Sequence, residues 1–303
     1  MMLPLSCGWA PWQWDDCVEQ YIGRAVNTAL SPLFKLIFKA IAAVVIAAVE
    51  AVLKAVGFLW IYIKTPDVST NGTVSFIQGH TNFILAAVAS IAVIVAAIQM
   101  AISHRGEPLR EILKSLLTMA VVSAGGAALA AALINAADGF SAWIIGQALG
   151  ANDHAFADKL VERMVDPLKD PGDLLGFALV IFIGILMVIT AVIQLGLMIV
   201  RYGMLVLLVG MLPLTAAATN TEMGMMWFKR AVGWLVGFIL YKPVAALIYA
   251  TAITLMGTPG APDGASVSEQ GVQLLKVTMG VTMMIVAVVA LPAILRFVSP
   301  KTT

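Results

Sequence analysis

Charge is what this sequence has least of. Charged side chains fill 12% of its 303 positions, 18 Lys and Arg against 17 Asp and Glu, where a soluble globular domain carries about 25%. So few ions cannot cover a water-facing surface, and a soluble globular enzyme is excluded. A net charge of +1 also excludes a surface built to coat nucleic acid, which needs a clear basic excess. Cysteine is nearly absent. Cys7 and Cys17 are either a pair in an external tail or two unrelated thiols, and two cysteines give no framework. His80, His104 and His154 are scattered, so no metal-ligand set forms and no cofactor is expected. Walker loops, nucleotide-binding glycine fingerprints, HExxH pairs and GxSxG elbows are missing as well, so no enzyme is expected. Met1 to Asp16 lacks a basic start and an apolar run, so no secretory signal peptide is expected, and the first hydrophobic helix is expected to direct its own insertion.

What is present is apolar length. Hydrophobic residues make up 61% of the chain and the mean hydropathy is +0.96. Leu174–Val200 and Tyr202–Thr221 carry no charge at all, and about 20 such residues cross a ~30 Å hydrocarbon core as helix. Membrane β-barrel strands alternate polar and apolar residues in runs of about ten, which this sequence does not do. Disorder is incompatible with so much apolar surface. The fold class expected is all-α: a polytopic membrane helical bundle with an amphipathic N-terminal helix, five to six spans and a re-entrant hairpin.

Four regions follow along the chain. Residues 1–64 are an N-terminal tail and an amphipathic helix. Trp9, Trp12 and Trp14 suit the headgroup level of a bilayer. From residue 33 on, Lys35, Lys39, Glu50, Lys54 and Lys64 fall within about 100° of arc at 100° per residue. This polar stripe either lies flat on the membrane surface or turns toward a wet interior. Residues 65–137 hold the first two firm spans. Residues 138–173 carry seven acidic and three basic groups and form an extracytoplasmic loop, with a short helix around Asp153–Val165 closed by Pro167 and Pro171. Residues 174–303 are a C-terminal membrane core.

Basic residues in short loops mark the cytoplasmic side. His104, Arg105, Arg110 and Lys114 are therefore inside, the acidic loop outside, and Arg296 and Lys301 put the C-terminus inside. Arg201 and Lys229/Arg230 share one side only if the run at about 202–221 enters and returns, with Gly210 and Pro213 at its tip. The alternative is that this run spans and breaks the rule once.

Two further features are candidates for function. Ser123, Gly125, Gly126, Ala127 and Ala130 line a helix with small side chains, which allow close backbone approach. They form either a protomer seam or ordinary bundle packing. Lys242 lies twelve positions past Arg230, about 18 Å along a helix, where an ammonium costs at least ~2.5–3.5 kcal/mol. With the Pro243 kink beside it, Lys242 either faces a channel or partner or snorkels to the surface. Glu50 is a possible partner if the first helix enters the bundle.

The segment Arg201-Tyr202-Gly203, then Pro213-Leu214-Thr215-Ala216-Ala217-Ala218, then Trp227-Phe228-Lys229-Arg230, then Leu240-Tyr241-Lys242-Pro243-Val244-Ala245-Ala246-Leu247-Ile248-Tyr249 resembles the TrbL-like family of conjugal transfer proteins. These are polytopic inner-membrane subunits of type IV secretion systems. The likeness is specific over residues 174–297 and architectural over residues 1–173. It implies a non-enzymatic channel or scaffold subunit in the bacterial cytoplasmic membrane. It also implies a homo-oligomer in the lipid bilayer that holds a stalk or pilus component, with a transfer ATPase as a further partner and no sequence-specific nucleic-acid binding. The alternative functions are a small-solute secondary transporter, which would show paired broken helices, and a self-standing membrane pore.

Overall fold

A computed structural model describes residues 14–61, 65, 67–103, 107–150, 156–169, 174–257 and 269–298. Seven α-helices make up these residues: α1 (Trp14–Ile61), α2 (Gly72–Ser103), α3 (Glu107–Leu149), α4 (Phe156–Val165), α5 (Leu174–Ala217), α6 (Glu222–Gly257) and α7 (Glu269–Val298). Six of them, all but α4, are long and apolar enough to cross a membrane. The all-α polytopic bundle expected from composition is therefore the fold.

The expected re-entrant hairpin is not formed. α5 is one helix of 44 residues, about 66 Å at 1.5 Å per residue, and it runs unbroken through Arg201, Gly210 and Pro213. Gly210 is no tip. A Cβ there would lie 3.0 Å from Ile77 Cγ2 of α2, so glycine permits a close helix crossing. Pro213 is buried within α5. The reversal comes later, in a 3₁₀ turn at Ala218–Asn220. Thr221 then caps α6, its Oγ accepting from the Gly224 N–H at 3.0 Å, as an N-cap side chain does.

The boundary at residue 138 also moves. α3 continues through Asp138 to Leu149 and stops at Gly150, whose φ is 60°, the left-handed conformation that glycine adopts most readily at a helix end. No proline follows Pro108 within α3, and the helix runs on through Gly139 and Gly146. The short helix expected around Asp153–Val165 is present as α4, followed by a 3₁₀ turn at Asp166–Leu168. Its apolar side buries Leu160, Met164 and Val165. On its wet side Asp166 pairs with Lys169 and holds that ammonium above its ordinary pKa.

α1 does not lie flat. Val49, Leu53 and Val56 are buried, and α1 packs along α5, where a Cβ on Gly184 would come within 2.3 Å of Val45 Cγ1. Lys35 and Lys39 remain exposed. Glu50 pairs with Lys54 at 2.8 Å and is not the partner of Lys242.

α6 and α7 are antiparallel, with Gly233 against Val298 and Gly237 against Leu295. On α7, Lys276 and Arg296 are twenty positions apart, about 30 Å along the helix, which matches the hydrocarbon thickness. Arg296 lies toward the same end as the exposed Lys229 and Arg230 of α6, which sit about 9 Å further along the bundle. These charges bracket the apolar slab in which the centres of α3, α5 and α6 lie.

Candidate functional site: a buried ion cluster between four segments

Inside that slab three charged side chains converge. Asp138 comes from α3, Arg201 from the middle of α5 and Lys242 from the middle of α6. Arg201 Nη2 and Lys242 Nζ each stand 3.3 Å from Asp138 Oδ1. Arg201 is 0% exposed and Lys242 4%. Thr65, from the link between α1 and α2, closes the other side: its N–H and hydroxyl donate to Asp138 Oδ2 at 3.2 and 2.7 Å. The Thr65 oxygen in turn accepts from Arg201 Nη1 at 3.0 Å. Arg201 Nε donates to the Phe238 carbonyl at 2.9 Å.

Each helix can place its charge here for a local reason. Pro243 lacks the N–H that would bond the Ile239 carbonyl, and it is buried beside Lys242. The α6 backbone is thus loosened where Arg201 reaches the neighbouring carbonyl of Phe238. Asp138 follows Ala137, a small buried side chain that lets α3 approach the bundle core. Taking a charge out of water costs several kcal/mol unless partners compensate it, and here every buried side-chain polar atom among the described residues has a hydrogen-bond partner. Two cations meet one carboxylate, so the cluster keeps a formal charge of +1 and Asp138 is the only anion in it.

Three further polar bridges link helices of the bundle. Gln194 of α5 accepts from the Tyr249 hydroxyl of α6 and donates to the Met284 carbonyl of α7 at 2.9 Å. Ser115 of α3 and Thr219 pair at 2.9 Å near the α5–α6 reversal. Arg163 of α4 donates to the Ile253 carbonyl near the end of α6. Polar groups in hydrocarbon favour such interhelical partners because water offers none.

Of the residues singled out in the sequence, the structure brings only Lys242 and Pro243 to this cluster. Lys242 does not snorkel, and its ammonium is turned into the chain's own bundle. Gly210 and Pro213 lie elsewhere on α5. The small-residue seam divides. Ala130 is buried, and a Cβ on Gly126 would lie 4.0 Å from Leu212 Cδ1 of α5. Ser123 is exposed, and a Cβ on Gly125 would meet nothing within 4 Å. Asp138, Arg201 and Thr65 were not anticipated. The signal for the first two was there: each is a lone charge among apolar residues. Thr65 carries no such signal.

The comparison with known families decides the rest. The profile described as TrbL/VirB6 plasmid conjugal transfer like protein matches residues 15–303. The chain belongs to this family. No protein among the curated sequences matches it. The TrbL/VirB6 assignment makes it a multi-pass membrane subunit of a conjugal transfer, or type IV secretion, apparatus. The ion cluster is then a feature of that subunit's membrane core.

Proposed function

We propose that this TrbL/VirB6 chain is a non-catalytic scaffold of the secretion channel, placed in the bacterial cytoplasmic membrane with its C-terminus inside. Copies assemble into a homo-oligomer, and the face carrying α4 holds a stalk or pilus-like component. Lys242 and Pro243 serve the channel by fixing α6 against α3 and α5, and the open part of the α3 seam, Ser123 and Gly125, meets a neighbouring copy.

The observation that carries this proposal is the inward direction of the ion cluster. A carrier needs an exposed or cavity-lining site for its solute, whereas Arg201 and Lys242 are spent on Asp138 and on backbone within the chain. The basic groups Arg110, Lys114, Lys229, Arg230 and Arg296 gather toward one end of the bundle, which the positive-inside rule makes cytoplasmic.

The test is complementation. A donor lacking the gene should lose plasmid transfer and regain it with the intact chain. Isolation in mild detergent followed by native mass measurement should give a defined oligomer. A chain that is monomeric and leaves transfer unaffected when deleted would refute the proposal.

A further inference from the structure

The ion cluster holds more hydrogen-bond donors than acceptors. A guanidinium has five N–H groups and an ammonium three. Among the described residues these eight hydrogens meet four acceptor contacts. Arg201 makes three of them, to the Phe238 carbonyl, the Thr65 hydroxyl oxygen and Asp138 Oδ1. Lys242 makes one, again to Asp138 Oδ1. Asp138 Oδ2 faces neither cation, because the N–H and the hydroxyl of Thr65 occupy it.

The distances carry the same message. A charge-assisted N–H···O⁻ bond closes to about 2.7–2.9 Å, as Lys54 does on Glu50 at 2.8 Å. Arg201 and Lys242 both stop at 3.3 Å from the one oxygen they share. Two cations on a single oxygen repel each other, and neither is fully satisfied. The charge count agrees: Asp138 offsets one cation, and the other is left over inside the bundle. Buried charges are paired as a rule, and no second carboxylate among the described residues pairs with either cation. Glu50 is engaged by Lys54.

The cluster is closed on the Arg201 side, where the side chain is 0% exposed, and opens slightly where Lys242 and Asp138 meet, at 5% and 16%. We propose that it binds one small monovalent anion from solution, a halide such as chloride, on the spare N–H groups of Lys242 and Arg201. The halide completes the cluster: two cations, a carboxylate and a halide sum to zero. A sphere that accepts from several N–H groups at once suits so narrow an opening, whereas a phosphodiester headgroup does not. The ion is a structural counter-ion and no transported solute, since Thr65 and the Phe238 carbonyl close the far side.

The test is reversible unfolding of the full chain in mixed micelles, at fixed pH and fixed ionic strength, with chloride replacing gluconate stepwise. An ion that binds only the folded state multiplies the folded-to-unfolded ratio by 1 + [L]/Kd. The ratio should therefore rise with chloride and approach a tenfold gain per tenfold of chloride. Lys242→Met removes a ligand and balances the charge, so its ratio should not respond. Crystals of the unaltered chain grown in bromide should give an anomalous peak beside Lys242 Nζ. Equal stability in chloride and gluconate overturns the site and makes Lys242 a neutral amine. An equal response in Lys242→Met overturns it too, because the ion then acts on the surface at large, and so does bromide density without a peak at Lys242. Neither readout involves plasmid transfer or oligomer formation, so a negative result here leaves the scaffold proposal standing.

Discussion

Asp138→Asn is the substitution to which the buried cluster should be most sensitive. Asparagine keeps the size of the side chain, and its amide oxygen can still accept from Thr65, so packing is preserved and only the charge is lost. Arg201 and Lys242 then face each other with no anion between them, at 0% and 4% exposure. Removing one partner of a buried ion pair costs about 3–5 kcal/mol, a large share of the ~5–15 kcal/mol that holds an ordinary domain folded. At about 1.4 kcal/mol per factor of ten, the folded-to-unfolded ratio should fall by two to three and a half powers of ten. Lys242→Met should behave differently. It leaves Arg201 and Asp138 as a balanced pair and fills the space with an apolar chain, so its cost should stay within about 1 kcal/mol, as replacement of buried ions by packed apolar groups often does. The double variant Asp138→Asn/Lys242→Met returns the cluster to a formal charge of +1 and should recover part of the loss. Reversible unfolding of the purified protein in mixed micelles, run as a double-mutant cycle, measures all three. Equal stability of Asp138→Asn and the unaltered chain, or a Lys242→Met variant that is the less stable of the two single variants, would refute the assignment of Asp138 as the compensating anion.

Gln194→Leu removes two interhelical hydrogen bonds, one from Tyr249 and one to the Met284 carbonyl, so at about 0.5–1.5 kcal/mol each the same unfolding assay should show a loss of about 1–3 kcal/mol. Gly150→Ala places a Cβ at φ 60° and should cost about 1–2 kcal/mol, with the far-ultraviolet helix signal unchanged. Gly126→Leu should destabilise the single chain, because a side chain there meets Val122 and Leu212. Gly125→Leu has open space and should leave the chain stable while weakening oligomer recovery in native mass measurement. Loss of stability at 125 and none at 126 would reverse the assignment of the two sides of α3.

The sequence by itself determined the membrane class, the all-helical bundle and the family. Each rests on a local or summed property: 12% charge, unbroken apolar runs and a specific string of residues from Arg201 to Tyr249. It also made Lys242 conspicuous, because one ammonium in a long apolar run costs energy wherever the run goes. The sequence could not say where Asp138 and Arg201 belong. A charge between two apolar runs is the same signal whether it ends a helix at the headgroups or turns inward in mid-helix. What separates the two is a compensating charge far along the chain, 63 positions away for Arg201 and Asp138 and 104 for Lys242 and Asp138. Only tertiary structure brings such groups within 3.3 Å. The same holds for Gly210 and Pro213, which carry the composition of a turn. Gly210 instead makes room for Ile77, and Pro213 is accommodated inside a packed helix.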